Sequence, residues 1–236
     1  MKLKNETLSK NFLIYGFGKS GISSLKYLKE KNRCFIFDDD KKKIKNTYKK
    51  FFITKSKLLN NNFDYIVISP GININRCQLS NYLKKNQKKV ITDFDIFYKF
   101  NPEVLTITIT GTNGKSTTSK LLYDILKKHH YDTRLTGNIG NPILEEKRVT
   151  KNTIFVIEAS SYQLAYSKYF KSKFSIIINI SPDHLERHNT MKNYVLSKLK
   201  CVIRQNENDI AIITNTNFCL LYTSDAAGRR LRCRSR

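Results

Sequence analysis

The chain has 236 residues, 40% of them hydrophobic, which fits one large or two modest globular domains and excludes disorder throughout. Lys and Arg number 43 against 19 Asp and Glu, a formal net charge of +24, but the lysines are scattered among Asn and Ile with no RNA-binding or zinc-finger signature. That excess suits an anionic small substrate as well as nucleic acid. No apolar run is long enough to span a bilayer, residues 1–7 lack a signal-peptide core, and Cys34, Cys77, Cys201, Cys219 and Cys233 form neither a metal-ligand pattern nor a disulfide framework, so a cytoplasmic protein with reduced thiols is predicted.

In chain order, Phe12–Tyr15 reads as a short strand, followed by the turn Gly16-Phe17-Gly18-Lys19-Ser20-Gly21 and helical spacing through Leu25 and Leu28. A second strand, Cys34–Phe37, ends in Asp38-Asp39-Asp40, the acidic position at which dinucleotide folds often hold a ribose. By itself this pattern is either a nucleotide-phosphate turn or a tight strand-to-helix turn with no ligand. Strand signals follow at Phe51–Thr54, at Tyr65–Ser69 closed by Pro70-Gly71, and at Val90–Thr92, with a helix-like stretch to Lys85 between the last two. The alternation predicts an α/β fold with a parallel sheet, and it places the Ser69-Pro70-Gly71 loop just past a strand's carboxyl end, where such sheets keep ligand loops. Asn101-Pro102 is the best break before the next unit.

Leu105–Thr110 alternates like a strand and runs into Gly111-Thr112-Asn113-Gly114-Lys115-Ser116-Thr117. Glycines let backbone N–H groups face one point, a helix start adds positive potential, Lys115 has the reach for β and γ phosphates, and Ser116 offers a hydroxyl to Mg²⁺. The usual phosphate loop has a glycine where this chain has Ile109, so the loop is a shortened variant. Thr117–His130 has amphipathic spacing, with Leu121, Leu122, Ile125 and Leu126 on its apolar side. After the Gly137-Asn138-Ile139-Gly140 turn, a strand over Thr153–Ile157 delivers Glu158, and another over Phe174–Ile180 delivers Asp183-His184-Leu185-Glu186-Arg187-His188. Ser116 and Glu158 can share a nucleotide-bound Mg²⁺, while Asp183 and His184 can serve a second metal or position a reacting group. The ordinary readings stay open: Glu158 as a helix cap, Asp183 as a turn residue, His184 as a hydrogen-bonded imidazole.

These motifs, together with Glu158-Ala159-Ser160-Ser161-Tyr162-Gln163-Leu164, occur in the order and spacing of the Mur ligases, and the chain resembles the D-glutamate-adding branch of that family. The resemblance implies a Rossmann-like UDP-binding domain followed by an incomplete P-loop ATPase-type α/β domain. It implies ATP and Mg²⁺ as cofactors, UDP-N-acetylmuramoyl-L-alanine and D-glutamate as substrates, and an acyl-phosphate route to an amide in peptidoglycan synthesis. Gly16, Gly18, Ser20, Gly21, Asp38, Ser69, Pro70 and Gly71 would then surround uridine and diphosphate. Gly111 to Thr117 would hold ATP, with Lys115 on phosphate. Asn138 and Ser160 would line the substrate cleft. Ser116 and Glu158 would bind the first Mg²⁺ and His184 the second, supported by Lys198 as a carbamate. Without the resemblance, Lys198 reads as one solvated lysine on a helix whose Val195, Leu199 and Val202 face the core.

The Asn101-Pro102 break places the first domain at residues 1–101, and the resemblance implies that 102–219 is the first part of the ATP-binding domain. The expectation is a monomeric fragment, without a carboxyl-terminal domain, that binds its ligands but does not turn over. No nucleic acid and no membrane insertion are expected. Residues 220–236 carry five of the eleven arginines, a shift that reads as a non-native tail.

Overall fold

A computed structural model describes residues 9–40 and 46–214, so the Arg-rich stretch 220–236 lies outside the described residues. The chain divides into two compact units. One runs to Pro102 and takes in Pro142–Lys147 and Tyr166–Lys168; the other comprises Glu103–Asn141, Arg148–Ala165 and the chain from Tyr169.

In the first unit, strands β1 (Asn11–Tyr15), β2 (Arg33–Phe37), β3 (Tyr65–Ile68) and β4 (Val90–Ile91) form a sheet of order β2-β1-β3-β4, parallel throughout. Phe12, Leu13, Ile14 and Tyr15 are all buried, as expected of a central strand covered on both faces, which reads as a continuous apolar run rather than an alternation. Helices α1 (Lys19–Leu28), α2 (Lys55–Leu59), α3 (Ser80–Lys85) and α4 (Asp93–Phe100) complete the unit. Helix α4 opens with a reciprocal capping box between Thr92 and Asp95.

The strand expected at Phe51–Thr54 is not formed. A 3₁₀ turn occupies Asn46–Phe51, Phe52 makes only an isolated parallel bridge to Ile36, and Thr54 caps α2 by accepting from the Lys57 N–H. Threonine's β-branched carbon favours a strand while its hydroxyl can cap a helix, and here capping prevails.

In the second unit, β5 (Leu105–Thr110), β6 (Thr133–Gly137), β7 (Ile154–Glu158), β8 (Phe174–Ile177) and β9 (Ile210–Ile213) form a parallel sheet of order β6-β7-β5-β8-β9. Its helices are α5 (Lys115–Lys128), α6 (Ser161–Ala165), α7 (Leu185–His188) and α8 (Met191–Ile203). From β5 the chain crosses to one side of the sheet, and β8 and β9 lie on the other. The carboxyl ends of β5 and β8 therefore flank a topological switch point, where open α/β sheets leave a crevice.

Helix α5 begins two residues earlier than its apolar spacing suggests, and its buried side differs from the expected one. Ser119 is buried and Leu122 and Leu126 are partly covered, whereas Leu121 and Ile125 are exposed. Ser119, Leu122 and Leu126 share one stripe, and the small serine lets the helix approach the sheet along it.

The start of β9 is fastened by a buried carboxylate. Asp209 accepts from the Asn206 N–H at 2.7 Å and lies 3.2 Å from Lys171 Nζ and 3.1 Å from Lys173 Nζ. Burial opposes its ionised form, but these three partners outweigh burial and hold the carboxyl below the usual range. A depressed carboxyl stabilises the fold above its unfolded pKa of about 3.9 and ceases to do so as pH falls through the lower folded value. Asp209→Ala is expected to cost about 1–3 kcal/mol in denaturant unfolding at pH 7. The difference from the parent should shrink as the titration is repeated toward pH 3.

Among the described residues, no helix is long and apolar enough to cross a membrane.

Candidate functional site

Strand β5 delivers Gly111–Gly114 at its carboxyl end, with Gly114 in the left-handed region at φ +80°. The first helical bond of α5 runs from the Thr118 N–H to the Gly114 carbonyl at 3.0 Å. The N–H groups of Lys115, Ser116 and Thr117 therefore have no helical carbonyl to reach, and they make an anion site at a fourteen-residue helix's positive end. Lys115 folds back over its own loop, its Nζ donating to the Thr112 carbonyl at 2.7 Å.

The loop's shape is held from the neighbouring strand. The Thr112 and Asn113 N–H groups both donate to Asn179 Oδ1, at 3.0 and 2.9 Å, and Asn179 Nδ2 returns a bond to the Asn113 carbonyl. The Thr112 hydroxyl sits 3.0 Å from the Tyr194 hydroxyl and accepts from the Ser181 N–H. Asn179 and Tyr194 were not singled out in the sequence. The signal for Asn179 was a polar residue interrupting an apolar run at a strand end; Tyr194 sits in a helical apolar stripe and gave none.

Glu158 ends β7, paired in register with Ile109, and is completely buried. Its Oε1 accepts from Asn138 Nδ2 at 2.8 Å, and its Oε2 is buried with no hydrogen-bond partner. It is not a helix cap. Ser160 takes that role for α6, its hydroxyl accepting from the Gln163 N–H while Gln163 Oε1 accepts from the Ser160 N–H.

His184 adopts φ +53° and is half exposed, with Nε2 3.3 Å from Asp183 and Nδ1 3.7 Å from Glu186, its ring tilted against the Tyr162 ring at 4.9 Å between centres. Lys198 is not solvated. It is 1% exposed, its Nζ donates to the Gly111 carbonyl at 2.5 Å, and it lies 4.7 Å from the Tyr194 ring centre. Burial, with the Lys115 charge adding to it, brings its pKa down to about 7. Lys115, Glu158 and His184 thus stand at or just past the carboxyl ends of β5, β7 and β8, three adjacent strands, and Lys198 braces the turn after β5 through the Gly111 carbonyl.

His188 is the fifth residue of this edge. It is buried, 3.0 Å from Ser161 Oγ, and burial followed by the nearby Arg187 and Lys198 charges brings its pKa down to about 4. The unfolded chain, with an ordinary value near 6.5, binds a proton that the native state refuses between those two values. Stability should therefore fall as pH drops from 6.5 toward 4. In imidazole NMR spectra His188 should remain neutral at pH 5, and His188→Gln should flatten the stability slope across that window.

Among the described residues, no three His, Cys, Asp or Glu side chains are grouped as a self-sufficient metal site. The orphaned Oε2 of Glu158 is an oxygen donor of the kind a hard cation takes.

The first unit carries its own turn. Gly16, at φ +91°, packs so tightly that a Cβ would lie 2.8 Å from Ser69 Cβ, and a Cβ on Gly21 would lie 2.1 Å from the Gly16 carbonyl oxygen. Ser69 Oγ donates to that same carbonyl at 2.6 Å. Asp38 uses both oxygens on backbone, accepting from the Phe17 N–H at 2.6 Å and the Asp40 N–H at 2.8 Å. Gly16, Gly21, Asp38 and Ser69 are thereby brought into one turn. Gly18 and Gly71 border open space, Pro70 lies between Ser69 and Gly71, and Ser20 Oγ donates to Asp93 at 2.6 Å.

Residues 109–230 match the family model described as the Mur ligase middle domain. The chain is 37% identical over 204 residues to the UDP-N-acetylmuramoylalanine–D-glutamate ligase of Caldicellulosiruptor bescii, covering 81% of this chain and 44% of that protein. It is 35% identical over 211 residues to the protein of the same name from Rickettsia bellii, covering 88% and 46%. The chain thus spans less than half the length of these curated relatives. The crystal structure of UDP-N-acetylmuramate:L-alanyl-gamma-D-glutamyl-meso-diaminopimelate ligase from Neisseria meningitides shares the fold at a TM-score of 0.56 and 13% identity, covering 92% of this chain and 75% of that one.

Proposed function

The chain belongs to the Mur ligase family, and from that premise we propose that it forms the UDP-substrate and ATP-binding part of an ATP-dependent ligase joining D-glutamate to UDP-N-acetylmuramoyl-L-alanine in the cytoplasm. Residues 1–101 take the UDP portion of the substrate and residues 102–219 take ATP.

The observation that carries this reading is the buried, unpartnered Oε2 of Glu158 beside a glycine-framed loop that opens a helix. A carboxylate oxygen held away from water without a donor is costly, and a cation shared with a nucleotide's phosphates removes that cost. Ser116 and Glu158 would hold one Mg²⁺, and His184 with Lys198 as a carbamate a second. A buried amine with a pKa near 7 is about half unprotonated at neutral pH, and the unprotonated form is the one that can add CO₂. Bound Mg²⁺ would spread the charge of the transferring phosphoryl group. Lys115 leaves the Thr112 carbonyl for the β and γ phosphates, the amides of residues 115–117 orient them, and Asn138 keeps Glu158 aimed. The substrate carboxylate oxygen bonds to the γ-phosphorus as ADP departs; the D-glutamate nitrogen then bonds to the acyl carbon as phosphate departs, and the nitrogen's extra proton passes to the departing phosphate or to solvent.

Calorimetric titration of the chain with ATP–Mg²⁺, UDP-N-acetylmuramoyl-L-alanine and single-stranded RNA in moderate salt tests the proposal. Separate saturable binding of the first two supports it. Binding of RNA alone would overturn it and favour the nucleic-acid reading of the basic composition.

A further inference from the structure

Helix α1 starts at Lys19, inside the Gly16–Gly21 turn, and its first internal bond runs from the Ile22 N–H to the Gly18 carbonyl. No side chain caps it. Ser20, in its first turn, is therefore placed to meet an anion. Yet its hydroxyl proton points the other way, donating to Asp93 Oδ2 at 2.6 Å. A hydroxyl has one proton. While it is given to Asp93, Ser20 can offer a phosphate only lone pairs, which repel.

Asp93 is built to change that. It is 4% exposed, its other oxygen accepts the Phe94 N–H at 3.0 Å, and no cation pairs with it in the described structure. Burial raises its pKa, opposed by the Ser20 and Phe94 hydrogen bonds and assisted by the charge of Asp95 on the same helix. Among neighbouring charges, the packed segment Ile143–Glu145 brings Glu145, but that carboxylate lies 3.0 Å from Lys26 Nζ of α1 and is compensated. Helix α1 also carries Lys19, and α4 carries Lys99.

We propose that Asp93 is a positioning residue that takes up a proton when the substrate's diphosphate binds the first unit, turning Ser20 from a donor toward Asp93 into a donor toward phosphate. The proton comes from solvent to Asp93 Oδ2; the new O–H donates to Ser20 Oγ, and the Ser20 O–H turns to a phosphate oxygen. No covalent bond between heavy atoms changes. The inference rests on the UDP-binding role proposed above for this unit.

The test is calorimetric titration of the whole chain with UDP-N-acetylmuramoyl-L-alanine at pH 7 in two buffers of different ionisation enthalpy, which reads protons gained on binding. The ligand's diphosphate is a diester that does not titrate near neutrality. All four histidines, 129, 130, 184 and 188, lie in the second unit. Expected is an uptake approaching one proton and an affinity that weakens as pH rises from 6 to 9. Asp93→Asn, whose amide donates to Ser20 permanently, should bind with no uptake and a flat pH profile, at an affinity equal to or tighter than the parent at pH 9. Ser20→Ala should lose the uptake and bind about tenfold more weakly. Binding by the parent without proton uptake overturns the inference and leaves the binding role standing, whether or not the Asp93 variant folds. No binding by the parent removes the role itself, and the inference with it.

Discussion

Lys115→Ala is expected to weaken ATP–Mg²⁺ binding by about 2–4 kcal/mol, roughly 30- to 1,000-fold, while leaving the fold intact. The side chain contributes little to the apo structure: its ammonium makes a single bond to the Thr112 carbonyl, and alanine is well tolerated at a helix start. What it supplies is a mobile positive charge at the phosphate end of the loop, where helix-terminal amides alone carry only partial charge. A second consequence is measurable without nucleotide. The Lys115 charge helps keep the Lys198 pKa low, so its removal should move Lys198 upward from about 7. Calorimetry with ATP–Mg²⁺, alongside matched thermal melts, checks the first; the pH dependence of the Lys198 side-chain NMR signal checks the second. A variant that binds nucleotide as the parent does would show that the Lys115 ammonium does not engage the phosphates.

Gly137→Ala should have the largest effect on stability, about 2–5 kcal/mol in the second unit. Gly137 ends β6 at φ +106°, and an added Cβ would lie 2.1 Å from the Glu158 carbonyl oxygen. That carbonyl already accepts the Asn138 N–H at 2.9 Å, so relief by backbone movement must separate Asn138 from the Glu158 carboxylate it holds. Hydrogen exchange should show protection lost in β6 and β7 while β1 and β3 in the first unit are unchanged. Equal protection in parent and variant would mean the backbone there is free to relax.

Much of this was legible because the relevant residues act through local rules. The strands β1 and β7 are buried on both faces and β5 alternates, so apolar or β-branched runs mark all three, and glycines follow β1 and β5 at the turns where they end. Gly111 to Thr117 and Gly16 to Gly21 therefore stood out in one dimension. The alternation of strands and helices also gave the α/β class. What stayed hidden depends on partners far along the chain. Lys198 is buried only because Gly111, 87 residues earlier, presents its carbonyl to it. Asp93 matters through Ser20, 73 residues away, and Asn179 through amides 66 and 67 residues before it. Errors of face were of a different kind. On α5 two apolar rows lie side by side, and a buried Ser119, invisible to any hydrophobicity count, decides which one the sheet covers.

The most direct measurement is a crystal structure of the chain grown with Mg²⁺ and a non-hydrolysable ATP analogue. The account predicts phosphates on the amides of residues 115–117, Lys115 Nζ turned from Thr112 to a phosphate oxygen, and a metal touching both Ser116 Oγ and Glu158 Oε2. Phosphates bound elsewhere, or Glu158 Oε2 still without a cation while the nucleotide is present, would contradict it.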